Sequence, residues 1–401
     1  MRIFCLLAVL LLPSATLAQT SDPADEFAPF DQFLAEFREE NSVPALSAVI
    51  VRDGQIAWEG YYGWADDEGE VATSADTTYK IASTTKPIAA MAILAEALAG
   101  GLSLDLPMRA DEGFADTCVW LSQSPIPFGS GGVDRHGNTV AAMNCANPLT
   151  LSQMLDMRAN GEAFVYNPIA YARIDRAISG AGGRDLRAIV RDRVAEPAGM
   201  RNVALGWRDP EGGDALRFLA PPFHPVDGRL AKQVLPDDDF RAAAGIIASP
   251  LQMAKFDIAF DSGVLIPPAL IRELVEAEIG PLGDYRRGWF LEDWNGQRLL
   301  WHSGWNEQKG SALYLKVPGK RLTLIVLANT EAVWWDNSLV KAKSPKARSR
   351  GASSRNTLAS GIQDWARRSG GLPATGRPNC PMRECRPHPS ACVPCASGST
   401  S

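Results

Sequence analysis

The sequence predicts an α+β fold: an antiparallel sheet of five or six strands flanked by helices, with a mainly helical subdomain inserted at about residues 102–260. Three observations carry it. Strand-like runs lie near the N-terminus and return only after residue 288, helical periodicity dominates between them, and two tight-turn dipeptides, Asp53-Gly54 and Asn295-Gly296, join strand pairs that must run antiparallel. Residues 1–18 read as a signal sequence, 19–342 as the folded domain and 343–401 as a basic, Cys- and Pro-rich tail.

In chain order, residues 29–41 place Phe30, Phe33, Leu34 and Phe37 on one helical face. Residues 46–51 form a strand, and residues 55–62 return after the Asp53-Gly54 turn. Residues 83–99 form a helix that is apolar nearly all round and so belongs inside a domain. Ser83 is its expected N-cap, Pro87 lies in its first turn, and Gly100 and Gly101 stop it. Residues 102–147 are polar, with Pro125, Pro127, Gly129, Gly131 and Gly132, and read as a long loop near the site. A helix at 149–158 ends at Asn160-Gly161. Residues 164–168 are a loop, because Pro168 cannot occupy a helix interior. Helices follow at 171–179 and 185–194, and the run Gly245-Ile246-Ile247-Ala248-Ser249-Pro250 turns into another that reaches Phe260. Strands at 288–293 and 297–302 flank Asn295-Gly296; strands at 311–317 and 321–328 flank Pro318-Gly319. Residues 361–368 form a last helix in a tail that otherwise lacks the composition of a core.

Arg2, the apolar run from residue 3 to 12 and the small residues up to Ala18 have the layout of a secretory signal, too short to span a bilayer. The expectation is an exported, periplasmic or secreted protein without a transmembrane segment. Removing the signal removes Cys5 and leaves six cysteines in an oxidising compartment. Cys118 and Cys145 are candidates to close a loop. Cys380, Cys385, Cys392 and Cys395, with His388 among them, fit two small disulfides better than a zinc site in that compartment. Of the net charge of −6, Arg2 supplies +1 and residues 343–401 supply +8, which leaves −15 on residues 19–342. So acidic a body argues against nucleic-acid binding. The basic tail reads as solvated, with an anionic envelope surface as the alternative contact.

The chemistry centres on Ser83-Thr84-Thr85-Lys86. A residue three positions on shares the helix face, and an ammonium in apolar surroundings tends to lose its proton. Serine beside a neutral lysine is a nucleophile with its base. The pattern alone is weak. Two fixed residue types recur by chance about once or twice in a chain this long, and Ser338 to Lys341 repeats it with no apolar helix behind it.

The order of motifs adds weight. After Ser83-x-x-Lys86 come Leu104-Asp105, the loop Tyr166 with Tyr171 five residues on, Tyr285 to Trp289, the strand-borne His302-Ser303-Gly304, and Val326-Leu327-Ala328-Asn329. Over roughly residues 30–340 this resembles the serine β-lactamase and penicillin-binding protein superfamily, nearest its class C, D,D-peptidase and esterase branch. The resemblance implies an acyl-enzyme on Ser83, with Lys86 as base, Tyr166 as proton relay, His302 in the catalytic set, and Ser303 and Gly304 on the substrate side. It also implies an oxyanion hole from the backbone N–H groups of Ser83 and Trp305. No cofactor and no metal are implied.

Two positions depart from the family pattern. Pro168 stands where the Tyr-x-Asn motif has asparagine, and His302 stands where lysine is usual. A histidine is mostly neutral at pH 7, unlike a lysine. Both changes weaken recognition of a β-lactam's carboxylate and amide. The expected substrates are therefore esters, amides or D-amino-acid peptides, small or peptidoglycan-like, with a β-lactamase or D,D-carboxypeptidase as alternative. A non-enzymatic peptidoglycan-binding protein is the reading in which Pro168 marks a retired site. Other hydrolase designs lack their motifs: there is no G-x-S-x-G and no H-E-x-x-H.

Overall fold

The computed structural model describes residues 23–343, apart from 228, 236–238 and 335–336. The expected signal sequence, the tail with its four cysteines and the expected helix at 361–368 lie outside the described residues.

Seven antiparallel strands form the main sheet. They are β1 (Ala45–Arg52) and β2 (Gln55–Gly63), then β6 (Asp284–Arg286), β7 (Trp289–Trp294), β8 (Gln297–Asn306), β9 (Gly310–Val317) and β10 (Leu322–Ala328), in the spatial order β6-β7-β8-β9-β10-β1-β2. A three-stranded sheet joins β3 (Tyr79–Lys80), β5 (Ile246–Ala248) and β4 (Val203–Leu205), with β5 in the middle. Six of the seven main strands carry the expected runs; the seventh, β6, is three residues long, too short to leave a periodic signal. Asp53 and Gly54 have φ of 53° and 74°, and Asn295 and Gly296 have 48° and 74°. Positive φ at both central residues is the two-residue hairpin turn these dipeptides favour. Strand β1 is buried along all but its last residue, as a central strand covered on both faces must be.

Helix α1 (Pro23–Glu40) starts earlier than its expected boundary at Pro29, which lies inside it. Tertiary contacts hold the first turns: Arg52 donates to Glu26 at 2.8 Å, and Phe27 and Phe30 pack on Trp58 with ring centroids 6.3 and 5.5 Å apart. Helix α2 (Thr85–Leu98) is buried from Thr85 to Glu96. Its one buried carboxylate, Glu96, pairs with Arg193 at 2.6 Å and with Arg184 at 3.4 Å. Gly100 takes φ 78° just beyond the helix end, the left-handed turn that glycine permits.

Between α2 and β6 several expectations change. The expected loop at 102–147 holds a helix, Phe114–Gln123, whose Phe114, Cys118 and Leu121 repeat at helical spacing and are buried. A short helix, Pro127–Ser130, and a small hairpin, Gly132–Val133 with Thr139–Val140, follow it. A disulfide joins Cys118 to Cys145, with Cα atoms 5.7 Å apart. The helix expected at 149–158 shortens to Leu151–Leu155, started by a capping box between Thr150 and Gln153. Residues 171–179 divide into Pro168–Tyr171 and Ile174–Gly180; residues 185–194 become Leu186–Val190, capped by Asp185, and a π turn at Arg191–Ala195. Helix α3 (Pro250–Asp261) follows β5 as expected. No helix of the described residues is long and apolar enough to cross a membrane.

Candidate active site

Ser83 is not the helix N-cap. It lies in a 3-10 turn, Ala82–Thr84, ahead of α2, and Thr84 takes the cap position without a side-chain bond. Thr84 Oγ1 instead donates to the Ile81 carbonyl at 2.6 Å, which frees the Ser83 hydroxyl for the site. Ala82 holds φ 49°, a left-handed conformation that costs a β-carbon-bearing residue about 1–2 kcal/mol. Glycines on the sheet make room for this turn. A Cβ on Gly304 would sit 2.4 Å from the Ile81 carbonyl oxygen, and one on Gly288 would sit 2.5 Å from that of Lys86. Only glycine lets β8 and the β7 entry come so close.

Lys86 is fully buried. Its Nζ contacts Ser83 Oγ at 2.9 Å and donates to the Ala243 carbonyl at 2.8 Å. Burial strips the ammonium of water and pushes its pKa well below the ordinary lysine range. The ring faces of Tyr166 and Tyr171, 5.1 and 5.6 Å from Nζ, favour the cation but do not reverse that direction.

Tyr166 shares a hydrogen bond with Ser83, and burial drives its phenol well above the ordinary range, so it rests protonated. Its backbone N–H donates to the Leu339 carbonyl at 2.7 Å. Pro168 is the first residue of a short helix capped by Asn167, whose Oδ1 accepts from the Ala170 N–H at 3.0 Å. The Asn167 amide then donates to the Phe128 carbonyl at 3.1 Å. Both of its ends are spent on scaffolding, so this asparagine does not stand in for the one that Pro168 displaces.

His302 is fully buried with both ring nitrogens engaged. Nδ1–H donates to the Ser303 carbonyl at 2.7 Å, which leaves Nε2 to accept from the Tyr285 hydroxyl at 3.2 Å. Burial, with the nearby Lys86 adding to it, pushes its pKa well below the ordinary histidine range, against the Ser303 carbonyl. The ring packs behind Tyr166, centroids 5.8 Å apart.

The register of β8 decides where its backbone points. Trp294 and Gln297 flank the Asn295-Gly296 turn, so they are a hydrogen-bonded pair. Strand periodicity of two then directs the N–H and C=O groups of Leu299, Trp301, Ser303 and Trp305 toward β7. That strand's pairing stops at Phe290–Trp301. The groups of Ser303 and Trp305 therefore face an open edge, next to the glycine that contacts the Ser83 turn. The site thus combines a hydroxyl, a buried lysine whose pKa is pushed down, a neutral tyrosine and an inward-facing strand amide.

A family model described as Beta-lactamase matches residues 30–334. The chain belongs to the Beta-lactamase family. It is similar to the esterase EstB of Burkholderia gladioli, 28% identical over 233 residues, which cover 52% of this chain and 56% of EstB. The chain thus matches just over half the length of that relative. In fold it resembles the penicillin-binding protein homologue of Pyrococcus abyssi, with a TM-score of 0.57 at 20% identity over 75% of this chain and 72% of that one. It also resembles the D-amino acid amidase of Ochrobactrum anthropi SV3, with a TM-score of 0.56 at 16% identity over 76% and 91% of the two chains. At these identities the structural likeness speaks for the fold alone.

The motifs point to Ser83, Lys86, Tyr166, His302, Ser303, Gly304 and Trp305, and all of them converge on this corner. Sequence reasoning marked Tyr285 only as the start of a resembling segment, with no role, and missed Ala243 and Asn337. Asn337 Nδ2 donates to Ser303 Oγ at 2.7 Å. No pattern marks Ala243 or Asn337, because each arrives from a distant segment through folding.

Proposed function

We propose that this chain is an exported serine hydrolase that forms an acyl-enzyme on Ser83 and acts on esters or amides, D-amino-acid peptides included. The observation that carries the reading is the 2.9 Å contact between Ser83 Oγ and a fully buried Lys86, whose pKa burial pushes down. In acylation, the Lys86 lone pair takes the Ser83 proton as Oγ bonds to the substrate carbonyl carbon. The oxyanion forms against the backbone N–H groups of Ser83 and Trp305. When the intermediate collapses, Tyr166 gives its proton to the leaving oxygen or nitrogen and is resupplied from Lys86. Water then cleaves the acyl-enzyme by the reverse proton path. Such acid–base steps contribute about 10²–10⁴-fold and one oxyanion donor about 10²–10³-fold. His302 acts as a positioning residue: it is neutral and braces the Tyr166 ring.

The names of EstB, an esterase, and of the Ochrobactrum D-amino acid amidase support ester and amide substrates. A β-lactamase or D,D-carboxypeptidase is the second reading, favoured by the family model. Labelling with a fluorophosphonate tests the nucleophile. Wild type should gain one adduct and Ser83→Ala none; an adduct that persists in Ser83→Ala would refute the assignment.

A further inference from the structure

Trp305, whose backbone N–H faces the open edge, is the exposed residue of β8. It is 40% exposed, while residues 299–304 before it are buried. A lone exposed tryptophan needs no explanation, but this one is held in place. Its indole Nε1–H donates to Glu331, and its ring stacks on Trp334, centroids 4.8 Å apart and planes within 18°. Arg135 stands over the Trp334 ring at 5.0 Å, and His224 stands 3.4 Å from the second Glu331 oxygen. The chain that brings Glu331 and Trp334 is anchored beneath them: Ser311, paired with Trp305, donates to the Thr330 carbonyl at 2.6 Å and accepts from the Val333 N–H at 3.0 Å. A large apolar ring fixed in one orientation and left in water is a surface prepared for another apolar group, with its ordering cost already met by the fold.

Strand geometry says which part of a substrate meets it. A substrate with its carbonyl oxygen on the Trp305 N–H lies along the open edge in the manner of an added strand. Along β8 the side chains alternate: position 304 faces the Ser83 turn, where an added Cβ would meet the Ile81 carbonyl oxygen and Ala82, so Ser303 and Trp305 project to the other face. Groups paired across a strand edge show their substituents on the same face. The part of the substrate beside the reacting carbonyl therefore has Ser83 on one face and the indole on the other. Its direction follows from the proton donor. Tyr166 lies at the His302 end, ring centroids 5.8 Å apart, and the leaving group departs toward that phenol. The acyl group then runs the opposite way, past Trp305.

We infer that the stacked Trp305–Trp334 pair is the acyl-group platform of the site, and that the preferred substrates carry a flat, apolar acyl group of the arylacetyl kind rather than a short one such as acetyl. This deepens the acyl-enzyme reading above and rests on it.

The test is kcat/KM for p-nitrophenyl phenylacetate divided by kcat/KM for p-nitrophenyl acetate. The two esters share a leaving group, and comparing variants cancels their intrinsic reactivities. Wild type should prefer the phenylacetate by more than alkaline hydrolysis does. Trp305→Ala should lower the ratio by about tenfold, the scale of one aromatic contact, while Trp305→Phe, which restores a flat ring, should keep most of it. Trp334→Ala removes the ring that braces the indole and should lower the ratio by about threefold. It also carries the test should Trp305→Ala misfold. A ratio unmoved by both alanine variants, or a wild type without the phenylacetyl preference, would overturn the inference. So would a loss that follows the alcohol instead, read between benzyl acetate and ethyl acetate. Fluorophosphonate labelling of Ser83 separates the two claims: without it the hydrolase reading falls, and with it an unmoved ratio sinks only the platform.

Discussion

Ser83-x-x-Lys86 and Ser338-x-x-Lys341 share a pattern and little else. In the first, a 3-10 turn leads into a buried helix, so serine and lysine meet at 2.9 Å with no water to solvate the ammonium. In the second, the serine is buried, but its hydroxyl serves Asp134 and Asn138, and the described residues after it, 339–343, form no helix. The difference teaches that the chemistry lies in desolvation and helical geometry. Without the buried helix, the serine of the same pattern is a structural hydrogen-bonding residue.

The widest separation between the two pairs should come from their own side chains. Lys86→Met keeps the apolar volume but removes the base, and Ser83 acylation should fall by about 10³-fold or more. Lys341→Met should leave the rate within about twofold. Stopped-flow or intact-mass kinetics on the two variants would expose any error, since comparable losses would collapse the distinction.

Next in size is Tyr166→Phe, expected to reduce turnover by about 10²-fold with Ser83 still labelled, because acylation by a reactive phosphonate needs less help at the leaving group. Equal losses in turnover and labelling would instead mean that the phenol mainly shapes the site.

The disulfide tests how far the catalytic corner depends on the segment beside it. Cys118 and Cys145 close the segment that carries Phe128 and Asp134. Replacing both with serine should cost about 3 kcal/mol of unfolding free energy, with Ser83 labelling within about threefold of wild type. Denaturant melts and the labelling rate check this. A loss of labelling as large as that of Lys86→Met would mean that the corner depends on that segment.

The smallest effect is on stability against pH. Burial lowers His302, so below the unfolded value of about 6.5 the unfolded chain takes up a proton that the folded chain refuses. Stability therefore falls as pH drops from about 6.5 toward the folded value. In His302→Gln that part of the slope should vanish, which urea melts between about pH 5 and 7 would reveal. An unchanged slope would put the titration elsewhere.

Much of this was legible in the sequence, for identifiable reasons. The Asp53-Gly54 and Asn295-Gly296 turns announced their hairpins because few dipeptides tolerate two positive φ angles. The apolar length of α2 announced its burial. The helix at Phe114–Gln123 was hidden by the glycines and prolines that follow it, and β6 by its brevity. Ser83 as N-cap was a reasonable reading of propensity that the close approach of Gly304 overrides, since the turn must bend to meet the sheet. Asn337 was illegible in principle: its partner Ser303 lies 34 positions away, and nothing local to either announces the pairing.

The central claim is that Lys86 reaches Ser83 without its proton. The most direct measurement is the rate of Ser83 phosphonylation against pH in wild type and Lys86→Met. The account predicts that the wild-type rate rises along a single limb centred well below the ordinary lysine value of about 10.4, and that Lys86→Met loses the limb along with the rate. A wild-type limb at that ordinary value, or one that survives in Lys86→Met, would contradict it.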